Sequence, residues 1–111
     1  MKLFTQVLTF GSTPVQVVAA NCSPVCNVAL TNVAFLSVTS LAANSHPSYV
    51  GTSTVTNDAS GTGVLTQLPT PVSGVISTWQ MTLAPNRIDL TQIFFHGTSG
   101  EKIVVGFVVE D

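Results

Sequence analysis

The sequence predicts an all-β fold: a single β-sandwich domain, jelly-roll-like or Greek-key, of about eight or nine short antiparallel strands. Val and Thr dominate the chain, whereas Glu, Lys and Arg, which favour helices, are scarce. No window shows a sustained 3.6-residue apolar period, and turn signals recur at the short spacing typical of sandwiches and barrels. A chain of 111 residues is long enough to bury a core, so we expect one domain over residues 1–111.

The N-terminal part begins with an alternating strand. "LFTQVLTF" places Phe4, Leu8 and Phe10 on one face together with Gln6. "GSTP" then turns the chain into a second predicted strand, "VQVVAA", so that the two form a hairpin or a corner. "VCNVALT" and "VAFLSVTSL" follow as strands, separated by Asn32, and are expected to be the most buried part of this half.

Turns and short strands alternate through the middle of the chain. "ANSHPS", from Ala43 to Ser48, is predicted to be a loop, and "YVGTSTVT" a short strand with Gly51 in its interior. "NDASGTG" has the composition of a turn that needs positive φ angles. "VLTQL" is the next predicted strand, and the two prolines of "PTPVSG" exclude both helix and sheet interior there.

The C-terminal part contains three more predicted strands. "VISTWQMTLA" alternates, with Val75, Trp79, Met81 and Leu83 on one face. "RIDLTQIFF" is predicted to be a strand that leads through the turn "HGTSGE" into the last strand, "KIVVGFVVE". The inward face of that last strand is predicted to hold Ile103, Val105, Phe107 and Val109.

The last strand is apolar on both faces. Val104 and Val108 alternate with its inward residues. The strand is therefore either central in its sheet or covered on its outer face by another subunit. This pattern makes Val104 and Val108 candidate interface residues.

The chain carries very little charge. Charged residues make up 7% of the sequence and the net charge is −2, whereas about a quarter of a soluble domain is ordinarily charged. Such a surface suits a protein covered largely by neighbours, which favours a homo-oligomer. Three cations, Lys2, Arg87 and Lys102, are too few to neutralise a run of phosphates. We therefore expect neither nucleic acid nor a membrane as a partner, and the apolar stretches are too short to span a bilayer.

Cys22 and Cys26, in "CSPVC", are the candidate metal ligands or disulfide partners. A zinc site needs two further ligands, and His46 and His96 are too far apart in sequence for the close spacing of such sites. We therefore expect no metal and no cofactor. A disulfide across the three-residue loop is geometrically possible, but the favoured interpretation is two small buried thiols beside a turn.

No arrangement of polar residues has the spacing of a catalytic motif. His96 could act as a base only with an orienting partner and a nucleophile, and no motif places one beside it, so we do not expect an enzyme. Arg87 and Asp89 stand two residues apart and would share a face of a strand. That spacing favours an ion pair that fixes register or joins subunits.

Two aromatic residues offer a second class of function. Trp79 and Tyr49 could form a platform for a glycan or receptor, as in a binding module of a phage tail fibre or spike. A single Trp at an inward-alternating position is more often part of the core. We keep this ligand platform as the alternative.

The order of the segments resembles small virion proteins of tailed bacteriophages, of the capsid decoration or cement type. The residues that carry the resemblance are "STPVQV" at Ser12–Val17, "YVGTSTVT" at Tyr49–Thr56, "GTGVL" at Gly61–Leu65 and "IDLTQIFFHGTSGEKIVVGFVVE" at Ile88–Glu110. The chain departs from similar proteins in the longer segment "TQLPTPVSGVISTWQMTLAPN", which we interpret as a contact arm.

The resemblance implies a structural role in the virion. Proteins of this type are β-sandwiches that form trimers or occupy symmetric positions on the capsid, after assembly in the host cytoplasm. Its expected partners are other copies of itself and the major capsid protein or another virion protein. No catalytic residue is carried over.

Overall fold

A computed structural model describes residues 1–58, 60–72, 76–82 and 87–109 of the chain. It confirms the all-β prediction, with two antiparallel sheets that together contain seven strands in the described residues. The strands are β1 Lys2–Thr9, β2 Val33–Ser40, β3 Ser48–Gly51, β4 Val64–Leu68, β5 Ser77–Thr82, β6 Phe94–His96 and β7 Lys102–Val109. None of the helices in the described part of the chain has the length and apolar content needed to cross a bilayer.

The two sheets have simple antiparallel orders. The first sheet contains four strands in the order β1-β7-β2-β5, and the second contains three in the order β4-β3-β6. The last strand, β7, lies between β1 and β2 and pairs with both along its length. It is therefore central in its sheet, which is one of the two alternatives that its apolar character predicted.

The core lies between the sheets and follows the predicted alternation. On β7 the side chains of Ile103, Val105, Phe107 and Val109 are all buried. The Phe107 ring stacks on the Phe4 ring of β1, with centroids 5.5 Å apart. The second sheet contributes buried residues that include Val50, Leu68 and Phe95. Trp79 and Met81 of β5 pack against this core half-buried, while Val75 and Leu83 lie outside the described residues.

Two predicted strands near the N-terminus do not form. In "VQVVAA" only Val15 makes a bridge, to Phe95 of the second sheet, so this segment is a corner between the sheets. Ala19–Asn21 is a 3₁₀ turn, and the Ala19 carbonyl accepts from the amides of both Cys22 and Cys26. "VCNVALT" does not form a strand in the structure either; its Cys26 amide is used in the bond to Ala19, and its Leu30 carbonyl accepts from the Leu90 amide.

The segment "RIDLTQIFF" also differs from its prediction. Ile88 makes a two-way backbone bridge to Val33, with N···O distances of 2.8 and 3.1 Å. The chain then turns through the 3₁₀ helix Leu90–Gln92, and only Phe94–His96 forms a strand. The turn begins at Asp89, whose side chain accepts a hydrogen bond from an amide inside it and so competes with strand pairing.

Candidate interaction surface

The side of the first sheet that faces away from the core is the candidate site, and we call it the outer face. Alternation along each strand assigns residues to it, because the intervening residues are buried in the core. Its members are Leu3, Thr5, Val7 and Thr9 of β1, Lys102, Val104, Gly106 and Val108 of β7, Phe35, Ser37 and Thr39 of β2, and Thr78, Gln80 and Thr82 of β5.

Strand register arranges the apolar residues of the outer face in rows. Val108 pairs with Leu3 on one side and Phe35 on the other. Val104 likewise lies between Val7 and Thr39. The candidate interface residues Val104 and Val108 are half-buried, whereas Leu3 is 62% and Val7 55% exposed. The apolar side chains of the outer face are therefore more exposed on β1 than on β7.

Apart from Lys102, the rest of the outer face consists of polar but uncharged residues and Gly106. The row between the two apolar rows contains Thr5, Gly106, Ser37 and Gln80 in register. Gly106, in the middle of this row, has no side chain. The one charged residue of the outer face is Lys102, which lies at the start of β7 opposite Thr9. Over the other positions, a partner would not have to strip water from an unpaired charge.

Arg87 and Asp89 lie beside the first sheet on a bridge rather than a strand. Ile88, between them, is buried against the core, which places its two neighbours on the opposite side. The Asp89 carboxylate accepts from the Thr91 amide at 3.0 Å and also from the Thr91 hydroxyl. Its observed role is therefore to start the 3₁₀ turn that leads into β6.

The structure does not bring Trp79 and Tyr49 together. Trp79 lies on β5 of the first sheet, opposite Val38, and faces the core half-buried. Tyr49 lies on β3 of the second sheet and is only 6% exposed. The two rings therefore do not share a face.

A loop folded back over the second sheet accounts for the position of His96. Residues 52–63 leave β3 and return to β4, and Val55 within this loop is buried. The His96 Nδ1 lies 2.9 Å from the Val55 carbonyl oxygen, so Nδ1 carries the proton and donates it. His96 therefore fastens the loop to β6, and it lies at the end of that strand as the sequence predicted.

A second polar contact, centred on Glu101, was not predicted from the sequence. The Glu101 carboxylate accepts from the amides of Ser45 and His46 at 2.9 and 3.2 Å, from the Ser45 hydroxyl at 3.0 Å and from His46 Nδ1 at 3.0 Å. Next to it, the Asn44 side chain bonds both backbone groups of Lys102. Together these bonds hold the loop after β2 against the start of β7.

The Glu101 contact makes stability depend on pH. Burial raises the pKa of this carboxyl, but the hydrogen bonds from His46 and Ser45 outweigh burial and hold the pKa below its ordinary value of 4.5. A carboxylate with a lowered folded-state pKa contributes stability above its unfolded pKa, and the contribution is lost as pH falls through the folded pKa. We expect Glu101→Gln to lower the free energy of unfolding by about 1–2 kcal/mol at pH 7.

Urea denaturation at pH 7 and pH 3 measures this effect. The difference between wild type and Glu101→Gln should shrink at pH 3, because the wild-type carboxyl then becomes protonated as well. An equal difference at both pH values would show that the charge of Glu101 contributes nothing.

The two cysteines are free thiols buried in the core. Burial raises the pKa of the Cys22 thiol, and the neighbouring Cys26 raises it further. Within the described ranges, no three side chains among His, Cys, Asp and Glu gather closely enough to hold a metal ion. The favoured interpretation of two buried thiols therefore agrees with the structure, and no disulfide is present between them.

Comparison of the chain with protein-family models, with curated proteins and with solved structures found no match. The inference of function therefore depends on the geometry of the outer face and on the resemblance of the sequence segments named above.

Proposed function

We propose that the protein is a virion structural protein of a tailed bacteriophage, a capsid decoration or cement protein. It stabilises the phage head through symmetric, multivalent contacts with the major capsid protein or another virion protein and with other copies of itself. It acts in the virion, which is assembled in the host cytoplasm. The observation that carries this proposal is the outer face, which has exposed apolar rows and a single charged residue, Lys102.

The size of the outer face suits a contact that works by repetition. Four strands about 4.8 Å apart and six to eight residues long cover roughly 500 Å², or about 1,000 Å² for two partners. That area lies at the low end for specific interfaces, so a single contact is weak. Repetition over the symmetric positions of a capsid multiplies weak contacts into high avidity.

The resemblance of the segments supports the same role. Ile88–Glu110, the longest of them, includes β6 and β7 in its described part, and β7 contributes Val104 and Val108 to the outer face. His96 and Asp89, the polar residues that would first suggest chemistry, bond to the fold itself. A binding role is therefore favoured over catalysis.

The proposal is tested by replacing an exposed apolar residue of the outer face with a charge. We expect Val7→Lys to bind phage particles assembled without the protein at least tenfold more weakly than wild type does. The reason is that the ammonium group of the new lysine would be buried in the contact without a partner charge. Binding is measured by co-sedimentation with the particles over a range of protein concentrations.

Val18→Lys is the matched control, because Val18 is 46% exposed, close to the 55% of Val7, and lies outside the outer face. It should bind as wild type does. Wild-type protein that fails to bind such particles would overturn the proposal. Saturable glycan binding that is lost in folded Trp79→Ala would instead favour the tail-fibre alternative.

A further inference from the structure

The sandwich has four edge strands, and the chain itself covers two of them. On β1, Thr5 and Ser23 exchange backbone hydrogen bonds of 3.1 and 2.8 Å. On β6, Phe95 and Val15 exchange two bonds of 2.8 Å each. One segment, residues 15–23, therefore pairs with both edge strands, at one position on each. Covered edges are a usual protection against pairing with another chain.

The edge of β4 has no such cover in the described part of the chain. Its backbone pairing there is with β3 alone, in the register from Ser48↔Leu68 to Gly51↔Val64. The strand, "VLTQL", contains neither Pro nor a charged residue, which are two common protections of an edge; its pairing with β3 has a register shift at Leu65. Its Leu65 side chain is 61% exposed.

We propose that β4 pairs antiparallel with β4 of a second copy of this chain. An open edge presents backbone donors and acceptors in a row, so its best partner is another extended strand. Identical strands pair antiparallel across a two-fold axis, so the edge complements itself. The sequence has no Asp, Glu, Lys or Arg between Asp58 and Arg87, so the contact brings no like charges together.

The pairing joins the second sheet of one copy to the second sheet of the other. The result is one continuous sheet of six strands, in the order β6-β3-β4-β4-β3-β6. Leu65 of each copy then packs beside the partner strand and leaves water. The product is a dimer, whereas the resemblance implies a trimer or another symmetric arrangement on the capsid. This inference rests on the proposed function only in that the chain associates with copies of itself. It does not depend on binding to the phage particle.

Analytical ultracentrifugation of the full chain over a wide concentration range tests the pairing. Wild type should show a monomer–dimer equilibrium, and Leu65→Lys should raise its dissociation constant at least tenfold, because the edge would then carry a charge. Val25→Lys is the matched control, since Val25 is 65% exposed and lies outside the strands. It should dimerise as wild type does.

Hydrogen exchange distinguishes strand pairing from other contacts. Amides of residues 64–68 should exchange more slowly as the wild-type concentration rises through the dissociation constant, and this protection should be absent in Leu65→Lys. A protein that stays monomeric, forms a trimer, or dimerises equally well as Leu65→Lys would overturn the inference. If dimerisation is lost instead in Val7→Lys, the outer face is the self-contact. None of these results decides whether wild type binds phage particles, so the proposed function is tested separately.

Discussion

Replacing Phe107 by alanine is expected to lower the free energy of unfolding by about 3–5 kcal/mol. Phe107 is fully buried on β7, the strand that lies between β1 and β2. Its ring stacks on Phe4 with centroids 5.5 Å apart, so the substitution removes a ring contact as well as buried apolar area. Neighbours held on both sides by strand pairing cannot collapse into the space, and a cavity remains. Urea denaturation at pH 7 measures the loss.

Leu3→Ala is the control for this substitution. Leu3 belongs to the same sheet but lies on the outer face and is 62% exposed, so its truncation should cost less than about 1 kcal/mol. Similar losses for the two variants would show that the two faces of the sheet are not distinguished by burial. In that case, the assignment of the outer face would be wrong.

The strands that could be predicted are those whose two faces meet different surroundings. In β1, β2 and β7 the side chains alternate between the core and the outer face, and a period of two residues records that alternation directly. The pattern identified Phe4 and Phe107 as inward residues. It did so without any knowledge of which strands pair, because burial on one side is a property of each strand alone.

The segments that were predicted wrongly have strand composition but local backbone bonds. "VQVVAA" and "VCNVALT" are rich in Val, yet β propensity mainly reports how a side chain fits a half-buried surface. Around Ala19 the backbone groups bond each other, and near Asp89 a side chain caps a turn. Such bonds depend on the path of the chain, which composition does not reveal.

The outer face could be predicted only in part. Val104 and Val108 were identified because the sequence shows that every residue from Ile103 to Val109 except Gly106 is apolar. Their neighbours Leu3 and Phe35 come from strands far away in the chain, and only the register of the pairing joins them in a row. The contact of Glu101 with His46 has the same origin, since 55 residues separate them.

Replacing Gly51 by alanine is expected to lower the free energy of unfolding by about 3 kcal/mol, near the upper end for overpacking. A Cβ atom at Gly51 would lie 1.9 Å from the Gly63 carbonyl oxygen and 3.1 Å from a methyl of Val55. The closest obstacle is backbone, which no change of rotamer can move. The φ angle of Gly51 is not positive, so close approach of the loop, rather than conformation, requires glycine. Urea denaturation measures the loss.

The same clash predicts which part of the structure is destabilised first. Gly63 and Val55 belong to the loop over the second sheet, so the loop must lift away, and His96 then loses its bond to the Val55 carbonyl. Hydrogen exchange should therefore accelerate first in residues 52–63. At Gly11 an added Cβ meets nothing within 4 Å, so Gly11→Ala should change stability by less than about 1 kcal/mol. A Gly51→Ala protein as stable as Gly11→Ala would mean that the loop does not lie against β3.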